Sequence, residues 1–467
     1  MNIGSEMQEI SSNNKRIAKN TLLLYFRMLV TMAVSLYTSR VVLNILGVED
    51  FGIYNVVGGI VAMFGFINGS MTSATQRYLT FELGQNNRAQ LTKVFSTSLS
   101  IHGIISFLII VLAETVGLWF LWNKMQIPAD RMNAAFWVFQ CSVAASVIMI
   151  MSVPYNAAII AHERMSAFAY ISIIEVSLKL LIVCFLRYFH TDKLILYAAL
   201  IVIVQFLIRL CYSWYCNRHF NETKYRWSWD KGLFKEMTGF ASWNMFGSLA
   251  AITFTQGLNL LLNMFFGPVV NAARGIAVQA QTAIGQFSSN FQTALNPQIT
   301  KSYATGDMEY MHGLIFRSAK FSFFLLLLLS LPVLIETKAI LTLWLKIVPD
   351  HTVVFLRIML CTTWVYAVSN PLITAASATG KIKLYQSVVG GLLLLILPIS
   401  YLCLRFGLPA YSVFIVHLVI EITAQFARLL MLKRMIKLSL REYFSKVVWC
   451  IFKVTAIALA VPLAVAY

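Results

Sequence analysis

The stretch from Tyr37 to Gly84, YTSRVVLNILGVEDFGIYNVVGGIVAMFGFINGSMTSATQRYLTFELG, decides the fold. It ends one long apolar segment, turns through a short acidic elbow at Glu49 and Asp50, and runs back through a second apolar segment. The second half of the chain echoes this pattern between Asn259 and Gly306. The sequence therefore predicts two copies of one membrane-embedded unit, with the remaining segments built around that pair.

The composition is that of a membrane protein. Of the 467 residues, 59% are hydrophobic and only 12% are charged, about half the charged fraction of a soluble domain. The apolar residues come in blocks of roughly 20, the length that a helix needs to cross a bilayer core of about 30 Å. A β-barrel would instead show short alternating segments, and none is visible in the sequence. We therefore expect an all-α polytopic membrane protein.

The apolar blocks predict about 12–13 transmembrane helices in two parallel six-helix lobes. The predicted organisation is an N-lobe at 1–217, a basic cytoplasmic linker at 218–236, a C-lobe at 237–432, and a basic loop with an extra span at 433–467. We place the spans at 19–46, 51–80, 93–122, 133–160, 167–189, 194–216, 238–266, 270–299, 314–337, 352–378, 384–405, 409–432 and 447–466.

The net charge of +18 indicates membrane topology rather than nucleic-acid binding. The basic residues are spread over many short loops, and with the N-terminus inside about three quarters of those outside the spans lie in cytoplasmic loops. That distribution follows the positive-inside rule, so we expect a cytoplasmic N-terminus and no nucleic-acid partner.

Neither the cysteines nor the N-terminus suggests another kind of protein. The seven cysteines lie within or at the ends of spans without CxxC spacing or a histidine partner, so we expect neither a disulfide framework nor a metal site. The first twenty residues are polar and show no cleavage pattern, which predicts a retained first span rather than a signal peptide.

An internal repeat supports the two-lobe organisation. Gly47 matches Gly267 at an offset of 220 residues, and further matches join Phe66 to Phe287, Gln76 to Gln298, and Gly84 to Gly306. The segment SVPYNAAIIAHERM (152–165) aligns with SNPLITAASATGKI (369–382). Because six spans per copy is an even number, both copies insert the same way up, which is typical of transporters with parallel repeats and a substrate path between the halves.

Two arginines lie deep within spans, each on a polar helical face. Arg27 is followed on its face by Thr31, Ser35 and Thr38, and Arg274 is followed by Gln281, Ser288 and Gln292. A charge at mid-span costs about 2.5–3.5 kcal/mol on insertion scales, so such a face is expected to line a wet cavity. The alternative is that these side chains only form hydrogen bonds between helices. Arg40 and Arg357, nearer the outer ends of their spans, are further candidate cavity cations.

Other ionisable residues within spans allow several roles. Glu175 and Lys179 have the spacing of an ion pair, which would serve either membrane insertion of the helix or ion coupling. Glu421 has no close basic partner in the sequence and is a candidate proton or cation site. Long side chains near span ends are expected to snorkel to the interface. We assign that role to Arg209, Arg428 and Lys453, a shallower acidic site to Glu114, and packing roles to His102 and His417.

The unpaired buried charges in the first and eighth spans are arginines, whose planar guanidinium suits phosphate. A cationic cavity between the repeats therefore indicates an anionic, phosphorylated substrate. A drug or cation antiporter would favour an acidic cavity instead. A membrane enzyme such as a glycan polymerase would need a sizeable outer loop with catalytic groups, and the outer loops are too short, so we expect no enzyme.

The segments YTSRVVLNILGVEDFGIYNVVGG (37–59) and NGSMTSATQRYLTFELGQNN (68–87) resemble the polysaccharide-biosynthesis flippases, the O-antigen and capsule repeat-unit exporters of bacteria. These belong to the multidrug/oligosaccharidyl-lipid/polysaccharide exporter superfamily, which includes the MATE transporters. The most specific part is LGVEDFGIY, Leu46 to Tyr54, and the resemblance in span count and spacing covers nearly the whole chain.

The resemblance implies a V-shaped pair of lobes with a cationic central cavity in the bacterial inner membrane. It implies a lipid-linked oligosaccharide on undecaprenyl pyrophosphate as substrate, membrane lipid and other polysaccharide assembly proteins as partners, alternating access, and no cofactor beyond a coupling ion, H⁺ or Na⁺. Relatives often have twelve or fourteen spans, whereas this chain shows a thirteenth before Tyr467. A lipid II flippase stays open as an alternative.

Overall fold

The computed structural model describes residues 3–62, 65–123, 127–186, 188–189, 191–224, 230–345 and 348–466, and within these ranges it holds helices and no strands. The helices of the first half are α1 (Ile3–Ala62), α2 (Gly65–Gly84), α3 (Arg88–Leu112), α4 (Leu118–Asn123), α5 (Met132–Ala161), α6 (Met165–Leu186) and α7 (Lys193–His219). Those of the second half are α8 (Lys231–Thr305), α9 (Met308–Ile335), α10 (Thr337–Leu345), α11 (Thr352–Ala378), α12 (Lys383–Leu394), α13 (Ile396–Arg405), α14 (Ser412–Met435), α15 (Leu440–Tyr443) and α16 (Trp449–Ala466).

The prediction of an all-helical, multi-pass membrane protein is confirmed. Eleven helices in the described ranges are long and apolar enough to cross a bilayer. The predicted span 270–299 carries a run of hydroxyl and amide side chains and is not among these eleven, and the predicted span 51–80 extends over residues outside the described ranges.

The long helices α1 and α8 each break at one glycine. Gly47 has φ 80° and ψ 171°, and Gly267 has φ 78° and ψ −175°, a backbone region that residues with a Cβ hardly enter. In a continuous helix Asn259 and Arg274 would lie about 22 Å apart along the axis. Their side chains are instead 3.1 Å apart, so the chain folds back at Gly267. The similar dihedrals at Gly47 indicate the same reversal.

The chain forms two compact units, unit 1 from Met1 to Ala241 and unit 2 from Ser242 to Tyr467, and the boundary falls within α8. In unit 1, α1 packs against α6 and α5 packs against α2 and α7. In unit 2, α11 packs against α9 and α14, and α14 also contacts α12 and α13. Each unit has its own apolar core, built around Phe139 in unit 1 and Phe355 in unit 2.

The repeat is visible in the backbone, with one correction to the sequence alignment. Helices α2 and α8 are each followed by a residue at positive φ and then by a helix-capping side chain, Asn86 then Asn87 in unit 1 and Gly306 then Asp307 in unit 2. The partner of Gly306 is therefore Asn86, at the same offset of 220 as the Gly47 pair, and the match with Gly84 is wrong by two residues.

Candidate functional site

Unit 2 contains a cavity of about 450 Å³ between α8, α11 and α14. Three of the predicted polar residues of α8, Gln281, Ser288 and Gln292, line it together. The opposite wall includes Glu421 and Arg428 of α14. Its other lining residues include Phe254, Leu326, Thr362, Thr363, Tyr366, Ala367, Leu393 and His417, so the surface mixes apolar rings with hydrogen-bonding groups.

The two glutamines also bridge helices. Gln281 donates from Nε2 to Thr363 Oγ1 at 2.8 Å, and Gln292 donates from Nε2 to Ser322 Oγ at 3.1 Å and to the Ala367 carbonyl at 2.9 Å. Gln281 and Gln292 therefore hold α8 against α9 and α11 while lining the cavity. These side chains therefore fit both interpretations of the polar face of α8, as the lining of a cavity and as a source of hydrogen bonds between helices.

Glu421 and Arg428 form a buried ion pair, which corrects two predictions. Arg428 Nη1 lies 2.7 Å from Glu421 Oε1, and the side chains are 2% and 5% exposed. Seven residues are almost two full turns, so both lie on one face of α14, and the arginine side chain spans the distance. Glu421 therefore does have a basic partner, and Arg428 does not snorkel to the interface because its charge is satisfied inside unit 2.

A hydrogen-bond chain extends from this pair. Arg428 Nη1 donates to Ser369 Oγ at 3.1 Å, Ser369 donates to Gln425 Oε1 at 2.6 Å, and Gln425 Nε2 donates to the Tyr443 hydroxyl at 3.3 Å. Tyr443 is fully buried next to Phe316. Arg428 Nε is buried without a hydrogen-bond partner among the described residues, so one donor of this guanidinium stays unsatisfied by protein.

Arg274 lies apart from the lining of the cavity. Its Nη1 donates to Asn259 Oδ1 at 3.1 Å and its Nη2 to the Thr255 carbonyl at 2.8 Å, across the reversal at Gly267. The residue is 8% exposed, and Nε lacks a partner within the part of the chain that is described. Arg274 therefore joins the two arms of α8, and it stands on the same polar stripe as Gln281 but at the end nearest the turn.

In unit 1, Arg27 is half-buried, with its guanidinium carbon 4.6 Å from the centre of the Phe168 ring in α6. Thr31, one turn further, donates to the Met28 carbonyl at 3.0 Å within its own helix, and Ser35 is exposed. A hydroxyl bonded to its own helix is the usual way for threonine to reside in a span. The side chain of Arg40 lies outside the described part of the structure.

Glu175 and Lys179 are joined in α6. Lys179 Nζ lies 2.6 Å from Glu175 Oε1, and Gln205 Nε2 of α7 donates to the same oxygen at 3.1 Å. The carboxylate is thus shared between a cation on its own helix and an amide on the next. Glu114 is bonded likewise, accepting from Gln140 Nε2 at 3.2 Å.

The remaining predicted positions have local partners. Arg357 donates to Thr337 Oγ1 at 3.0 Å and to the Ile335 carbonyl at 3.2 Å, at the C-terminal end of α9 where a cation is favoured. Arg209 lies over the Tyr155 ring. His102 is fully buried, its Nδ1 lies 2.7 Å from the Ser98 carbonyl, and its Nε2 has no hydrogen-bond partner among the described residues. Among the described residues no cluster suits a metal ion.

Charged clusters at the ends of the unit 1 helices were not predicted. Arg131 bonds both Asp50 and Asp192, whose carboxylate also caps α7. His162 bonds Glu222, and Glu163 bonds Arg16. The partners lie 60 to 147 positions apart, so sequence spacing carries no signal for them, whereas the Glu421 pair could have been found from its two-turn spacing.

Comparison with solved structures places the fold among known transporters. The chain aligns with a structure described as the outward-facing conformation of a multidrug resistance MATE family transporter of the MOP superfamily, with a TM-score of 0.79, 12% identity, and coverage of 91% of this chain and 96% of that one. A MATE structure in the bent conformation aligns with a TM-score of 0.80 and 12% identity over 95% and 97% of the two chains.

A third similar structure is a MOP superfamily transporter from Pyrococcus furiosus Vc1 (DSM3638), described as having a binding pocket of reverse polarity that suggests a different function. Its TM-score is 0.77, with 13% identity over 91% of this chain and 96% of that chain. At these identities the similarity shows the fold alone. A search of curated proteins returns no match.

The sequence itself decides the family. A family model described as "Polysaccharide biosynthesis protein" matches residues 17–303, more than half of the chain and both copies of the repeated hairpin. With eleven apolar helices of spanning length in the described ranges and the fold seen in MATE structures, this is a multi-pass membrane protein. The chain therefore belongs to the polysaccharide biosynthesis protein family.

Proposed function

We propose that this protein moves an undecaprenyl-pyrophosphate-linked oligosaccharide from the cytoplasmic to the outer leaflet of a bacterial inner membrane by alternating access. Family membership supports the biosynthetic role, and the fold supports transport. The N-terminus is proposed to be cytoplasmic because the basic loops follow the positive-inside rule.

The observation that carries the proposal is the charge balance of the unit 2 cavity. Glu421 and Arg428 neutralise one another, and the cavity further presents amides, hydroxyls and aromatic rings. A volume of about 450 Å³ lies within the usual range for a ligand pocket, about 300–1,000 Å³. A lining of neutral donors and acceptors with apolar rings suits sugar units, whose hydroxyl groups need partners and whose carbon faces are apolar.

The pyrophosphate needs a cation, and Arg27 and Arg274 are the proposed sites. A guanidinium donates two parallel hydrogen bonds to a phosphate and stays charged when it is desolvated. Arg274 has its Nη atoms committed to Asn259 and Thr255, so phosphate binding there would use Nε or displace one of these partners. The guanidinium carbon of Arg27 lies 4.6 Å from the centre of the Phe168 ring, so the flat face of the guanidinium packs on an aromatic side chain.

A coupling cation, H⁺ or Na⁺, is proposed to act at Glu175 or Glu421. Each carboxylate is already bonded to a basic side chain, so the cation has to compete with Lys179 or Arg428. Such competition links cation binding to movement of the helix that carries the basic residue. The balanced charge of the cavity also argues against a cationic drug as substrate, because no net negative charge is left to attract it.

The test is flipping of a fluorescent undecaprenyl-pyrophosphate disaccharide in proteoliposomes. We expect transport by the wild type, loss of transport in Arg27→Ala and Arg274→Ala, and partial recovery in Arg27→Lys and Arg274→Lys. Transport that is equal in the wild type and both alanine variants would retain the flippase and remove the two arginines from its site. Transport of lipid II but not of the disaccharide would establish the neighbouring substrate instead.

A further inference from the structure

The turn between α5 and α6 holds an acidic residue in a backbone conformation that favours glycine. Glu163 has φ 57°, and its partner in the repeat, Gly380, has φ 75°. The other repeat-related turn pairs Asn86 with Gly306. Asparagine enters the left-handed region fairly readily, whereas glutamate does so rarely. Unit 1 therefore keeps a strained side chain where unit 2 has none, and such strain persists only where surrounding contacts enforce it.

Both ends of Glu163 are bonded to α1. Its carboxylate oxygen Oε2 lies 2.8 Å from Arg16 Nε, and the Glu163 side chain is 2% exposed while that of Arg16 is 48% exposed. Its carbonyl accepts a hydrogen bond from Asn20 Nδ2 at 3.2 Å, and Asn20 is buried. One residue of the turn thus binds two successive turns of α1.

The same face of α1 carries Arg27. Arg16, Asn20 and Arg27 are separated by four and seven residues, which places them along one side of the helix. Arg27 contacts Phe168, five residues after Glu163 at the start of α6. The contacts of Glu163 and Phe168 therefore fix both the rotation of α1 about its axis and its height relative to α6.

We propose that Glu163 is a positioning residue that holds Arg27 in the orientation needed to bind the phosphate of the substrate. This inference rests on the proposed function, which places the substrate's phosphate at Arg27. The carboxylate acts through Arg16 and α1 and does not itself touch the substrate. Unit 2 has no counterpart, since Gly380 has no side chain and the residue 220 positions after Arg27 is Gly247.

The variant Glu163→Gly separates an effect on the position of Arg27 from an effect on protein stability. In Glu163→Gly the backbone strain disappears together with the carboxylate, so we expect a thermal unfolding temperature equal to or above that of the wild type. We expect KM for the fluorescent lipid-linked disaccharide to rise about tenfold in this variant, with a smaller change in the maximum rate. Amide hydrogen exchange in residues 16–31 should become faster without any substrate present.

Exchanging the charges supplies a rescue. Glu163→Arg alone places a second cation beside Arg16 and should raise KM at least as much as Glu163→Gly does. Glu163→Arg combined with Arg16→Glu restores the pair with reversed polarity and should recover most of the lost affinity. Glu222→Gln, which removes the neighbouring pair with His162 and touches no residue of α1 in the described contacts, is the matched control and should leave KM unchanged.

Each outcome bears on the proposal. The proposal would be overturned if Glu163→Gly had the wild-type KM and the wild-type rate of amide hydrogen exchange in residues 16–31. It would also be overturned if the charge-swapped variant Glu163→Arg/Arg16→Glu recovered neither the KM nor the hydrogen-exchange rate of the wild type. Faster exchange in α1 together with no transport by the wild type would leave Glu163 as the residue that positions α1 and reject the proposed substrate. If the glycine variant does not fold, Glu163→Asn keeps a residue that tolerates positive φ and provides the same comparison.

Discussion

Arg428 Nη1 lies 2.7 Å from Glu421 Oε1, two helical turns apart on α14 and almost completely shielded from solvent. Removing one member of a buried pair leaves an uncompensated charge, at a cost of about 3–5 kcal/mol, whereas replacing both with apolar residues of similar size is often neutral. The pair therefore sets the charge of the unit 2 cavity and is also a point at which the unit is vulnerable to single changes.

We expect Glu421→Gln and Arg428→Gln each to lower the free energy of unfolding by about 3–5 kcal/mol, and Glu421→Leu/Arg428→Met to lower it by much less. The measurement is thermal or denaturant unfolding in detergent, followed by tryptophan fluorescence. Additive losses in a Glu421→Gln/Arg428→Gln double variant would show that the two side chains are not coupled.

Gly47 and Gly267 should resist any residue with a Cβ. No neighbouring atom lies within 4 Å of a Cβ built at either position, so the cost of alanine is conformational rather than a clash. We expect Gly47→Ala and Gly267→Ala each to cost about 1–3 kcal/mol of unfolding free energy. Gly275→Ala is the control, because Gly275 is helical, exposed and equally free of neighbours, and alanine there should be neutral or stabilising. Equal effects at Gly267 and Gly275 would contradict the reversal at Gly267.

The bonds of Arg274 across the reversal separate a structural role from a substrate role. Asn259→Ala removes one acceptor and leaves the cation, so we expect a loss of about 1.5–3 kcal/mol in stability with little change in KM. Arg274→Ala should show the stability loss and also abolish flipping of the lipid-linked disaccharide. If Asn259→Ala abolishes flipping as completely as Arg274→Ala, the geometry of the turn rather than the charge is what transport requires.

Glu222 gives unit 1 a dependence on acid pH. Burial by itself raises the pKa of the Glu222 carboxyl, but hydrogen bonds from His162 and from its own backbone amide, with the charge of Arg88, lower the pKa below its ordinary value. Its contribution to stability is therefore fully present above the unfolded-state pKa and is lost as pH falls through the folded-state pKa. We expect Glu222→Gln to reduce the loss of unfolding temperature between pH 5 and pH 3, and identical pH profiles in wild type and variant would contradict this assignment.

The fold class and the repeated unit follow from the amino-acid sequence. Apolar blocks of spanning length can only form helices in lipid, because every backbone polar group must be satisfied within its own segment. The matching of Gly47 with Gly267 also follows from the sequence, since a sharp reversal between two helices needs glycine. The polar face of Gln281, Ser288 and Gln292 can also be predicted from the sequence, because helical spacing alone places those residues on one side of the helix.

Which charges are paired depends on how the helices pack against one another. Glu421 and Arg428 share one face of α14 and are partners in the wall of the unit 2 cavity, whereas Arg274, on the predicted polar stripe, is bonded to Asn259 by the reversal at Gly267. Arg16 and Glu163 are 147 residues apart, and no local pattern relates them. Helical periodicity assigns a side chain to a face, but the neighbouring helix determines whether that face meets an ion, a hydrogen-bond partner or a cavity.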